Sequence, residues 1–117
     1  MLFRSEFTNV SFNSATNRIT IPVLNGNTVT VDSFDTATCD MAKYIVKIKN
    51  TTHNSVSGSE MILVHDGTDI FMNEYGIVHS STPNGYFSSQ MSGSTINVLF
   101  TPINDDNMTI SVFKFYG

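Results

Sequence analysis

The stretch "VHDGTDIFMNEY" places His65, Asp66, Asp69 and Glu74 within ten positions of one another. An imidazole beside carboxylates can do general acid–base work or hold a cation, provided the fold brings the groups to one point. Glu60 and Glu74 lie on the two strands of the expected hairpin and would form a carboxylate pair for glycoside cleavage if their separation suited it. Cys39 is alone, so neither an internal disulfide nor a multi-cysteine metal site can form, and "TATCDMAKY" supplies no nearby histidine to generate a thiolate. The three histidines, His53, His65 and His79, show no H-x-x-x-H or H-x-H pair. Asp105 and Asp106 in "INDDNMT" lack the spacing of a calcium loop, and no G-x-S-x-G elbow or Gly-rich phosphate loop is present. The sequence therefore predicts no catalytic residues, no metal and no cofactor; His65 reads as the end of a strand and Asp66 as a turn former.

The elements that must position these residues are strands. Apolar and polar residues alternate with period two in stretch after stretch, whereas helical periodicity is hard to find. "ITIPV" sets Ile19, Ile21 and Val23 on one face, "TVTVDSF" sets Val29 and Val31, and "MAKYIVKIK" aligns Ala42, Tyr44, Val46 and Ile48. Further strands are expected in "EMILVHD", "TDIFMNEY", "GYFSSQM", "STINVLFTP" and "MTISVFKFYG", with one more in the opening "LFRSEFTNVSF". "NG" at 25–26 and 84–85, "DG" at 66–67, "SG" at 57–58 and 92–93 and "NDDN" at 104–107 punctuate the runs. Asp66-Gly67 suits a two-residue type I′ turn, which would pair 61–65 with 68–72 and set His65 opposite Thr68. Pro22 cannot donate to a ladder, so its strand should be an edge or carry a bulge.

With about eight or nine short strands and no helix to cover a sheet, the expected fold is all-β, an antiparallel β-sandwich. At 117 residues the chain fits one domain, 1–117, with 1–25 as an N-terminal strand or arm. No linker, low-complexity tract or internal repeat stands out.

Composition narrows the function classes. Fourteen serines, fourteen threonines and twelve asparagines make a hydroxyl- and amide-rich chain in which charged residues are only 14%. A net charge of −4, with six Lys and Arg scattered, offers no basic stripe, so nucleic acid is not an expected partner. Lys43, Lys47 and Lys49 read as the solvent face of one strand. No segment approaches the roughly 20 apolar residues of a helical membrane span, and no secretory leader is apparent, so the chain is expected to stay in the cytoplasm that makes it until it assembles.

From about residue 30 onward, "VDSF", "AKYIVKIKN", "SEMILVHDGTDIFMNEYGIVHSS", "GYFSSQMSGSTINVLFTP" and "TISVFKFYG" resemble a β-rich module of virion structural proteins of tailed bacteriophages, especially T4-like phages and related phages of marine cyanobacteria. The resemblance implies a tail-fibre, decoration or other accessory subunit located in the virion, with other virion proteins as partners and no catalytic residues. A carbohydrate- or receptor-binding module is the alternative, with Tyr86 and Phe87, just beyond an "NG" turn, as the ring platform for a cell-surface glycan.

Both faces of "MTISVFKFYG" are apolar, and Leu2, Phe3 and Phe7 add apolar residues at the other terminus. A core this small is not expected to enclose all of them, which makes Leu2, Phe3, Phe7, Phe113, Phe115 and Tyr116 interface candidates. A homotrimer is favoured over docking on a symmetric lattice.

Overall fold

The computed structural model describes residues 19–23 and 26–117. Among these residues there are eight strands: β1 (Ile19–Val23), β2 (Val29–Asp35), β3 (Met41–Asn50), β4 (Ser55–His65), β5 (Ile70–His79), β6 (Gly85–Ser92), β7 (Thr95–Pro102) and β8 (Met108–Tyr116). They form a five-stranded sheet of order β1-β8-β3-β4-β5 and a three-stranded sheet of order β2-β7-β6, antiparallel throughout. The fold is the expected all-β sandwich. The candidate strand in "LFRSEFTNVSF", with Leu2, Phe3 and Phe7, lies outside the described residues.

Period-two alternation places the core. Ala42, Tyr44, Val46 and Ile48 of β3 are all buried, as are Met61 and Leu63 of β4 and Met108, Ile110 and Val112 of β8. They meet Val31, Phe34, Ile96, Val98 and Phe100 of the smaller sheet in one hydrophobic cluster. β1 pairs with β8 alone, so Pro22 sits on an edge strand as its missing N–H requires. In β2 the ladder shifts between Thr30 and Asp32, making Val31 the bulged residue. The bulge sends both Val31 and Asp32 inward, against simple alternation.

Three turn expectations are corrected. The hairpin exists, but His65 pairs with Ile70 rather than facing Thr68, so 61–65 pair with 70–74 across a four-residue loop, 66–69. The Asp66 carboxylate explains the longer loop: Oδ1 accepts the Thr68 N–H at 2.9 Å and the Asp69 N–H at 2.7 Å. These bonds compete with the two-residue turn for the same donors. Because the register moves by two residues, every side chain keeps its face. Gly67 supplies the left-handed backbone the loop needs, with φ +89°.

The "SG" at 57–58 is no turn at all; Ser57 and Gly58 lie inside β4. "NG" at 84–85 closes no hairpin either, since β5 and β6 belong to different sheets. A Cβ on Gly85 would come within 2.4 Å of the Phe100 ring and of the Thr101 carbonyl oxygen, so this glycine allows close approach of strands.

Candidate functional site

The histidine and carboxylates of the opening stretch do not converge. His65 is buried at the end of β4, where Nδ1 accepts the Gly67 N–H at 3.1 Å and Nε2 donates to the Cys39 carbonyl at 2.5 Å. Its backbone N–H donates to the Asp40 carbonyl. The side chain thus ties the hairpin loop to the β2–β3 connection. Asp66 is spent on its own loop, and its two backbone N–H bonds hold its carboxyl below the usual carboxylate range. Burial pushes the Cys39 thiol up, with Asp32 and Asp40 adding to the effect against a hydrogen bond from the Met41 backbone, which disfavours the thiolate.

Glu60 and Glu74 lie on opposite faces of the larger sheet. Glu60 faces outward, 3.2 Å from Lys43 Nζ and accepting the Tyr75 hydroxyl. Glu74 stands opposite Met61 on the core side and accepts the Ser59 hydroxyl at 2.6 Å. Two carboxylates separated by a sheet cannot flank one glycosidic bond.

A polar cluster that sequence reading missed lies between the sheets. Asp32, carried inward by the β2 bulge, accepts the Tyr44 and Tyr116 hydroxyls on Oδ2, each at 2.7 Å, and Lys114 Nζ at 3.1 Å on Oδ1. Burial and then the bond to this carboxylate raise both phenols above their ordinary range. The cluster joins β2 of one sheet to β3 and β8 of the other. The signal in the sequence was a single Asp within the "TVTVDSF" run.

The interface candidates that can be placed divide. Tyr116 is 41% exposed but is drawn to the core side, donating to Asp32 and packing tilted against Phe34 with ring centroids 5.3 Å apart. Phe113 and Phe115 point to the outer face of the larger sheet and are half-buried. Around them this face is more apolar than the lysine pattern of β3 suggested. Met41, Ile45, Ile62, Val64 and Phe71 are 44%, 41%, 37%, 38% and 57% exposed. Met41, Val64 and Phe71 are neighbours across three strands, as Phe113 and Ile45 are across two. Within the patch, Lys43 is neutralised by Glu60.

Tyr86 and Phe87 do not form one platform. Phe87 packs inward, 5.0 Å from the Phe100 ring, while Tyr86 projects to the opposite side and is 58% exposed. Consecutive strand residues must diverge in this way.

At the end of the sandwich away from Asp66, the β3–β4 turn, the β5–β6 link and the β7–β8 loop surround a polar cleft of about 340 Å³. Asn50, Asn84 and Asp106 line it, and the exposed His53 brings Nε2 to 3.3 Å from Asp106 Oδ2.

No protein-family model matches the chain, and no curated protein matches it. Solved structures do. The tailspike protein of Acinetobacter phage vB_ApiP_P1 aligns over 86% of this chain with a TM-score of 0.60 at 12% identity. The tailspike protein gp49 of Acinetobacter baumannii bacteriophage Fri1, described as a capsular polysaccharide depolymerase, aligns over 85% at 13% identity and a TM-score of 0.46. The tailspike protein of Acinetobacter baumannii phage AM24 aligns over 86% at 11% identity and a TM-score of 0.43. The chain spans 21%, 17% and 26% of those three chains respectively. Its fold is thus one that also occurs as part of a phage tailspike.

Proposed function

We propose that this chain is a tail-associated structural module of a bacteriophage virion, and that copies of it assemble through the outer face of the larger sheet. The carrying observation is that face: Met41, Val64 and Phe71 form an exposed apolar row across β3, β4 and β5. Contiguous apolar surface of this kind marks interfaces in soluble proteins. Because Lys43 and Glu60 pair within one chain, the charges between Met41 and Ile45 offset each other, and the exposed Lys47 marks the edge of the patch. A second copy is the occupant that fits, since copies arranged about an axis can turn this face inward and cover it, and three copies around an axis is the favoured state.

The fold shared with part of a tailspike supports the tail over the head, and the "LVHDG" and "LFTP" elements support a source among T4-like or related cyanobacterial phages. In this reading the module does no catalysis; its partners are copies of itself and other virion proteins.

Sedimentation of the purified chain tests the reading. The expected species has three times the 12.9 kDa chain mass and reverts to monomer in Val64→Glu, which keeps the wild-type β-sheet circular dichroism and melts lower only by the loss of association. A strictly monomeric species at high concentration overturns it.

A further inference from the structure

We propose that the polar cleft between the β3–β4 turn, the β5–β6 link and the β7–β8 loop is a binding site for a neutral sugar ring. This goes beyond assembly and does not depend on it: Asn50 and Ser55 stand at the opposite ends of β3 and β4 from Met41 and Val64.

The floor of the cleft is built from buried amides. Asn50 and Asn84 are 2% and 4% exposed, and Asn50 Nδ2 donates both to Asn84 Oδ1 at 3.0 Å and to Asp106 Oδ2 at 2.9 Å. Asn50 Oδ1 accepts the His53 backbone N–H at 3.0 Å. Asn84 Nδ2 donates to Ser57 Oγ at 2.9 Å, and that hydroxyl meets His79 Nδ1 at 2.8 Å. Loop closure does not require this network, since backbone bonds from Thr51 N–H to the Asn107 carbonyl and from Ile103 N–H to the Asn84 carbonyl already join the three segments. An apolar plug would stabilise the loops at least as well as buried amides. A satisfied polar floor under an open cavity has a different use: it fixes the groups above it.

Those groups have the chemistry of a polyol partner. Asp106 is a carboxylate whose Oδ2 is held by Asn50 from below and lies 3.3 Å from His53 Nε2, so Oδ1 retains acceptor capacity for a hydroxyl. Ser81, Thr82 and Asn104 add hydroxyls and an amide that both donate and accept, and Pro83 gives an apolar ring surface. Sugar hydroxyls need this mixture. A phosphate would meet the Asp106 anion, and a lipid or apolar peptide would strand the polar floor. The volume, about 340 Å³, is at the small end of ligand pockets and suits one or two pyranose rings.

The test is an amide-resolved NMR titration of the full chain with glucose, galactose, N-acetylglucosamine and N-acetylgalactosamine. At least one sugar should give saturable shifts confined to 50–55, 80–84 and 103–107, with a dissociation constant of about 1 mM. Asp106→Ala and, as a variant outside the buried network, Thr82→Ala should each weaken it about tenfold or more, whereas Tyr86→Ala leaves it unchanged. The proposal is overturned if none of the four sugars gives saturable shifts, if the shifts map elsewhere, or if Thr82→Ala in a folded chain binds as the wild type does. Any of those results leaves the sedimentation test of assembly untouched.

Discussion

Asp32→Ala should be the most damaging single polar substitution in this sandwich, costing about 3–5 kcal/mol, as removal of one partner from a buried charged set does. The magnitude follows from what each partner loses. Tyr44 is fully buried and its hydroxyl donates to Asp32, so truncation strands a buried donor at about 1–3 kcal/mol. Lys114, its side chain 24% exposed, loses a carboxylate at 3.1 Å and keeps part of its hydration, a loss of about 1–2 kcal/mol. Tyr116 is exposed enough to turn its hydroxyl to water and contributes about 0.5–1 kcal/mol. Against the roughly 5–15 kcal/mol of an ordinary domain, this is a large fraction of stability. The chain has no tryptophan, so urea unfolding is best followed by circular dichroism and tyrosine fluorescence; the midpoint should fall by about 2 M. Tyr44→Phe added to Asp32→Ala removes the stranded hydroxyl and should restore about 1–3 kcal/mol. A single variant within about 1 kcal/mol of wild type, or a double variant that recovers nothing, would refute the clamp.

Gly67→Val should cost about 1–3 kcal/mol, because a β-branched residue is strained at φ +89° although no atom obstructs it; an unchanged melting temperature counts against the loop geometry. Phe87→Ala should destabilise by about 2–3 kcal/mol and Tyr86→Ala by less than about 1, which chemical denaturation can separate; equal effects contradict their opposite orientations. Tyr44 and Tyr116 have folded-state values raised above the unfolded phenol value of about 10, so their contribution is fully present below that pH and is lost as pH rises beyond it. Melting temperatures taken across about pH 9 to 11 should therefore fall more steeply for the wild type than for Tyr44→Phe, and parallel curves would contradict this.

The larger part of the fold was legible because one face of each long strand is buried, and burial writes itself as alternation. "MAKYIVKIK" assigns its core residues Ala42, Tyr44, Val46 and Ile48 correctly on that ground alone, whereas "MTISVFKFYG", apolar on both faces, does not choose between them. Loop length was not legible: Asp66-Gly67 favours a type I′ turn locally, and the choice of a longer loop rests on how its carboxylate and His65 share backbone donors. The Asp32 cluster escaped notice because a bulge changes the parity of β2, and a bulge is set by the partner strand. The polar cleft draws on three loops distant in sequence, so no local pattern announces it. The apolar outer face was partly visible in "MILVHD", yet lysines interleaved in β3 disguised its continuity with Met41 and Ile45. Sequence reading paired Glu60 with Glu74 by proximity, and register, which alone decides sheet faces, separates them.

The proposed assembly within a phage tail through the outer sheet face is tested most directly by density from gradient-purified virions of a phage whose genome carries this sequence. The expected result is several symmetry-related copies in the tail, with Met41, Val64 and Phe71 of each covered by a neighbouring copy. Virions that lack the chain, or that carry it with this face open to solvent, would contradict the claim.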